Sequence, residues 1–68
     1  MDPNETLWEW ACAVLSENRE RANEAYSAIR SWIERGGFEP AWSGQHNDRT
    51  LPSRKQFFSY DVRSGRIA

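Results

Sequence analysis

Two side chains in the sequence could take part in nucleophilic catalysis, the single cysteine and the single histidine. A cysteine becomes an effective nucleophile when a base such as histidine lies within hydrogen-bonding distance. Cys12 falls in a helix-like segment and His46 in a polar stretch, and no local pattern predicts that they meet. A thiol beside apolar residues on a helix is more typical of a small, half-buried packing residue. The sequence therefore predicts no catalytic residue and a protein that is not an enzyme.

Metal and phosphate sites have equally little support. A metal ion needs three or four converging nitrogen, oxygen or sulfur ligands, and His46 and Asp48 supply two. The glycine pair Gly36-Gly37 follows a predicted helix, whereas a phosphate-binding glycine loop precedes one. We therefore expect no metal, no cofactor and no small-molecule substrate.

The aromatic residues suggest a different chemistry, because exposed tryptophan is frequent at the energetic centre of protein interfaces. The chain of 68 residues contains four tryptophans. On a helical wheel Trp8 lies about 100° from Leu7 and about 160° from Trp10. Trp8 and Trp10 therefore cannot face the same neighbour within the chain.

Two alternatives are open for Trp8: it packs against other residues of the chain, or it binds a partner. In the packing alternative, Trp42 or the pair Phe57-Phe58 covers Trp8 within the chain. In the binding alternative, Trp8 stays exposed and contacts a protein partner or a second copy of the chain, which would form a homodimer. The candidate protein-binding residues are Trp8, Cys12 and Trp42.

Basic residues interleaved with aromatic residues near the end of the sequence indicate a second candidate function. Residues 1–38 carry seven acidic side chains and four arginines, whereas residues 39–68 carry three acidic and five basic ones. Such a segment could hold single-stranded nucleic acid by phosphate contacts and base stacking. The alternative is that the aromatic residues pack in the core and the basic residues lie on an ordinary surface. The candidate nucleic-acid-binding residues are Arg54, Lys55, Phe57, Phe58, Tyr60, Arg63 and Arg66.

Two amphipathic helices must position these residues. Asp2, followed by proline, is a typical helix start, and an apolar stripe after it predicts helix 1 over about residues 3–17. A second stripe predicts helix 2 over about residues 19–35, ended by Gly36-Gly37. The short connection predicts antiparallel neighbours. The stripe of helix 1, which we expect to face the core, consists of Leu7, Trp10, Ala11, Val14 and Leu15.

The rest of the chain lacks helical periodicity. Residues 39–55 contain two prolines and mostly polar side chains, which predicts a loop whose single tryptophan docks on the helix pair. Residues 56–68 are rich in β-prone residues and predict a short extended arm. Ser53 with Gln56 three residues later is a capping-box pattern, so a short helix over about residues 54–63 is the alternative. The predicted fold class is mainly α: an antiparallel two-helix hairpin with a Pro/Gly loop and a short extended C-terminal arm.

Composition limits the class of protein further. Only 38% of the residues are apolar, so the aromatic side chains must supply much of the core of a single small domain covering residues 1–68. The longest apolar runs are far shorter than the 18 or so residues that a membrane span needs. The acidic N-terminal residues lack the features of a signal peptide, and one cysteine cannot form an internal disulfide. We therefore expect a cytoplasmic protein with no membrane partner.

Two stretches of the sequence resemble a group of short, uncharacterised proteins of bacteria and bacteriophages. The stretches are Asp2-Pro3-Asn4-Glu5-Thr6-Leu7 and Trp32-Ile33-Glu34-Arg35-Gly36-Gly37-Phe38-Glu39-Pro40. The resemblance covers roughly the first 40 residues and implies a two-helix protein of bacterial or phage origin. It implies no activity and no site residues.

Overall fold

The computed structural model describes residues 2–68, which form three helices and two short β-hairpins. The helices are α1 (Pro3–Leu15), α2 (Arg19–Glu34) and α3 (Arg54–Phe58). The strands are β1 (Gln45–His46), β2 (Arg49–Thr50), β3 (Tyr60–Asp61) and β4 (Arg66–Ile67). β1 pairs antiparallel with β2, and β3 with β4. The two predicted main helices and their packing on each other are confirmed, while the hairpin geometry and the Pro/Gly loop remain predictions.

α1 ends at Leu15, two residues before the predicted limit, and the cause is local. Glu17 adopts the left-handed conformation with a φ of 57°, which no helix can continue. Its N–H donates to the carbonyl of Val14, and the N–H of Asn18 donates to the carbonyl of Ala13. These two bonds satisfy carbonyls that the helix end leaves without partners.

α2 ends at the predicted glycine pair, which also fixes the segment that follows. Gly36 has a φ of 85°, the conformation that glycine adopts at helix ends. A side chain at Gly37 would lie 2.5 Å from Cε2 of Trp32, so the indole fills the space beside this glycine. The indole N–H of Trp32 donates to the carbonyl of Phe38 at 2.8 Å. Phe38 contacts the Trp32 ring edge-on but remains 66% exposed.

The core lies between α1, α2 and the C-terminal third of the chain. Trp10 and Phe57 are its largest fully buried side chains, and their ring centroids lie 5.0 Å apart in an edge-to-face arrangement. Tyr60 contacts the other edge of this cluster, 5.6 Å from Trp10. The aromatic residues therefore supply much of the core, as the composition predicts. The buried apolar residues are Leu7, Trp10, Ala13, Ala22, Ala25, Ile29, Leu51, Phe57 and Tyr60.

The prediction that the arm over residues 56–68 is extended is wrong at its start. Ser53 Oγ accepts a hydrogen bond from the backbone N–H of Gln56, and Gln56 Oε1 accepts one from the N–H of Ser53. This complete capping box starts α3, which is shorter than the alternative helix over residues 54–63. The helical turn directs Phe57 into the core, and only β3 and β4 keep the extended conformation.

The predicted loop contains the hairpin of β1 and β2. Asn47 and Asp48 both have a positive φ, 51° and 62°, and form the two-residue turn between the strands. Such turns need two consecutive left-handed residues, which asparagine and aspartate tolerate better than most. The hairpin pairs His46 with Arg49. Across residues 2–68, no helix is both long and apolar enough to cross a bilayer.

Candidate protein-binding groove on α1

α1 has two apolar faces, and only one of them is buried. Leu7 and Trp10 are fully buried against α2 and α3. On the outer side, Trp8 is half-buried, Cys12 is exposed and Leu15 is 83% exposed. The prediction that Leu15 faces the core is therefore wrong, because α1 ends at this residue and no other element within residues 2–68 covers it. The spacing of these three residues, i, i+4 and i+7, places them on one side of the helix.

A groove of about 320 Å³ runs beside this outer face, and we name it the Trp8 groove. Its walls are α1, the segment after β2, and β4, which contribute Trp8, Ala11, Leu15, Pro52 and Ile67. None of the ten residues between 2 and 68 that line it is charged, although 28% of the residues in the chain are. The groove is therefore suited to an apolar occupant.

The ring of Trp8 contacts the guanidinium group of Arg49. The guanidinium carbon of Arg49 lies 5.3 Å from the centroid of the Trp8 ring, a distance typical of a cation–π contact. Trp8 is half-buried and packs against the core, and the rings predicted as its alternative cover, Trp42, Phe57 and Phe58, pack against one another. Arg49 thus covers one side of the Trp8 ring.

Carboxylates at the start of α1 fix the position of Arg49. Glu5 Oε1 lies 3.7 Å from Nη1 of Arg49, and Glu5 Oε2 lies 3.3 Å from Nε2 of His46. Asp2 Oδ2 lies 3.9 Å from the same histidine nitrogen. Each exposed pair contributes little stability alone, but together they attach the β1–β2 hairpin to α1. The turn residues Asn47 and Asp48 are the sequence signal that could have predicted this arrangement.

Cys12 is exposed, and the prediction of a half-buried thiol is wrong. Residues two apart on a helix point in nearly opposite directions, and Trp10 takes the direction of the core. Cys12 lines a second, shallow groove of about 380 Å³ on the other side of Trp8. The ion pair between Glu9 and Arg21, at 3.5 Å, lies on that side. Trp8 and Cys12 therefore lie on one surface, as the protein-binding hypothesis requires.

Trp42 lies elsewhere. Its ring packs on Phe57 and Phe58 of α3, with centroids 5.5 Å and 6.0 Å away, and against the core that α3 shares with α1 and α2. Its indole N–H donates to Glu39 Oε1 at 2.8 Å. This bond and a second one from Arg54 hold the pKa of Glu39 below its usual value. Trp42 is thus engaged within the chain and does not join Trp8 in one surface.

Two of the candidate nucleic-acid-binding residues lie in the core. Phe57 is fully buried and Tyr60 is 6% exposed, so neither ring is available for stacking on a base. Phe58 is 37% exposed, and the guanidinium carbons of Arg54 and Arg30 lie 4.6 Å and 5.4 Å from its centroid. The other basic candidates, which are exposed, are Lys55, Arg63 and Arg66.

The catalytic and metal-binding arrangements are not assembled in the described part of the chain. The side chain of His46 contacts Asp2, Glu5 and Asn47, and no contact within residues 2–68 joins it to Cys12. Among residues 2–68, no three histidine, cysteine or acidic side chains converge in a way that could hold a metal ion.

Comparison of the chain with models of protein families, with curated proteins and with solved structures finds no match in any of the three. The geometry of the Trp8 groove is therefore the basis for a functional proposal.

Proposed function

We propose that the protein is a small, non-enzymatic protein-interaction module that binds a protein partner through the Trp8 groove. In this proposal an antiparallel hairpin of α1 and α2, a Pro/Gly loop and a short C-terminal arm present the groove. The observation that carries the proposal is the exposure of Leu15, which is 83% exposed at the edge of a groove whose described lining residues are all uncharged.

The energetics favour an interface over a role in folding. Full burial of a leucine side chain is worth about 1.5–3 kcal/mol, and Leu15 gains almost none of this within the chain. Trp8 and Arg49 are of the residue types that most often contribute strongly to binding. Because Arg49 already stacks on Trp8, little side-chain entropy remains to be lost when a partner binds.

The setting of the module is part of the same proposal. The free, exposed Cys12 suits the reducing cytoplasm, where thiols stay reduced. The resemblance of its two motifs to short bacterial and phage proteins supports an accessory role in such a cell. Nucleic-acid binding is the less favoured function, because the rings of Phe57 and Tyr60 pack in the core.

Photo-crosslinking tests the proposed function directly. A photoreactive amino acid replaces Thr50, an exposed residue that lines the groove, or Ser27, an exposed residue on α2 away from it. We expect the Thr50 position to yield one adduct of defined mass, in purified protein or in a bacterial extract, and Leu15→Glu to remove it. Identical adduct patterns from the two positions would contradict the proposal.

A further inference from the structure

The two ends of the outer face of α1 carry opposite net charge. At the Trp8 end, the carboxylates of Asp2 and Glu5 and the guanidinium of Arg49 surround His46. Two carboxylates against one guanidinium make this end acidic.

The Leu15 end has the reverse balance. Beyond Leu15, a polar pocket of about 210 Å³ is lined by Glu17, Arg19 and Arg66, among others. One negative charge against two positive ones gives this end a net charge of +1. A face that is acidic at one end and basic at the other is complementary to itself when one copy is turned end for end.

We propose that the occupant of the Trp8 groove is a second copy of this chain, packed with its α1 antiparallel to the first. This inference rests on the proposed function and names the partner. Around a two-fold axis between Ala11, which lines the groove, and the neighbouring Cys12, Trp8 of each copy meets Leu15 of the other, because Trp8 and Leu15 are equally distant from this axis along the helix. Each acidic end then faces a basic end.

The residues in the middle of the face permit this approach. Ala11 and Cys12 lie between Trp8 and Leu15, and their small side chains let two helix backbones come close. The face is short, since the 13 residues of α1 extend about 20 Å. An interface of about 800 Å² per copy would cover less than a fifth of the 4484 Å² surface of the chain. The dimer is therefore expected to dissociate on dilution.

Sedimentation equilibrium of the full chain over a concentration series tests the proposal. We expect the wild type to approach twice its mass of 7.9 kDa at high concentration. Leu15→Glu should weaken the association at least tenfold, because it removes an apolar contact and adds a carboxylate opposite the acidic end. Phe38→Glu is the matched control, because Phe38 is 66% exposed outside the groove, and it should leave the association unchanged. Far-UV circular dichroism verifies that each variant is folded.

Leu15→Lys separates the contribution of charge to the dimer from the contribution of the apolar contact. Lysine also removes the leucine, but its ammonium group faces the acidic end of the other copy, so it should weaken the dimer less than Leu15→Glu. The difference between the two variants should shrink as salt screens the charges. Equal losses at low salt would overturn the antiparallel arrangement.

A short bis-maleimide tests the position of the axis, because each of its two rings adds one thiol and no oxidant is needed. We expect it to join two copies through Cys12 in the wild type and not in Leu15→Glu. A wild type that stays monomeric at every concentration overturns the second-copy proposal. If the Thr50 position then still yields an adduct with a different protein, the interaction function stands; if it yields none, both proposals fail.

Discussion

The indole N–H of Trp10 gives a quantitative test of how the core is built. Trp10 is fully buried, and within residues 2–68 its Nε1 is a buried side-chain donor without an acceptor. Leaving a buried donor unpaired costs about 1–3 kcal/mol, and Trp10→Phe removes that donor. The smaller ring leaves a cavity of roughly 40 Å³, which costs about 1 kcal/mol, plus the lost transfer free energy of the missing atoms.

The free energy gained by removing the unpaired donor and the free energy lost through the cavity and the missing atoms are of similar size. We therefore expect Trp10→Phe to change the free energy of unfolding by less than about 1 kcal/mol, whereas Trp10→Ala should cost about 3–5 kcal/mol. Urea unfolding followed by far-UV circular dichroism measures both variants without relying on tryptophan fluorescence. A loss for Trp10→Phe close to that of Trp10→Ala would refute the reasoning, because it would mean that the indole N–H is paired.

Three further changes test other parts of the fold by the same unfolding measurement. Glu17→Gly should stabilise the chain by about 0.5–1 kcal/mol, because glycine adopts the left-handed conformation of Glu17 without the steric cost; destabilisation would contradict the account of the α1 end. Gly37→Ala should destabilise the chain by about 1–3 kcal/mol, because the added Cβ would lie 2.7 Å from the carbonyl oxygen of Trp32. An unchanged free energy of unfolding would show that Gly37 does not pack this closely against Trp32. Burial raises the pKa of Tyr60, so its contribution to stability is complete below the unfolded value of about 10 and is lost as the pH rises above it. Tyr60→Phe should make stability fall less between about pH 9 and 11, and an equal fall would contradict this assignment.

The helix ends could be predicted from the sequence because their causes are local. The Asp2 side chain accepts hydrogen bonds from the N–H groups of Asn4 and Glu5, and that of Asn18 accepts one from Arg21. Such bonds depend on residues two or three positions apart, so the sequence pattern contains them. Glu17 is the exception, because no residue pattern in the sequence indicates that this glutamate adopts the left-handed conformation.

The position of Leu15 could not be predicted from periodicity. Its spacing from Leu7 fits the core stripe of helix 1, yet the helix ends there and the neighbouring elements leave the side chain exposed. Which face of a helix is covered depends on the packing of distant segments, here β2 and β4. The same holds for Phe57, whose β-prone neighbours favoured an extended arm while its burial against Trp10 stabilises a helical turn.

An isotope-filtered NOE experiment on a mixture of labelled and unlabelled chains detects contacts between two copies of the chain directly. Within one copy, Trp8 and Leu15 are seven residues apart on α1, about 10 Å along the helix axis. The antiparallel dimer predicts intermolecular cross-peaks between the indole protons of Trp8 and the methyl groups of Leu15, which disappear in Leu15→Glu. Intermolecular contacts that involve Phe38 instead, or none at concentrations at which sedimentation detects a dimer, would contradict it.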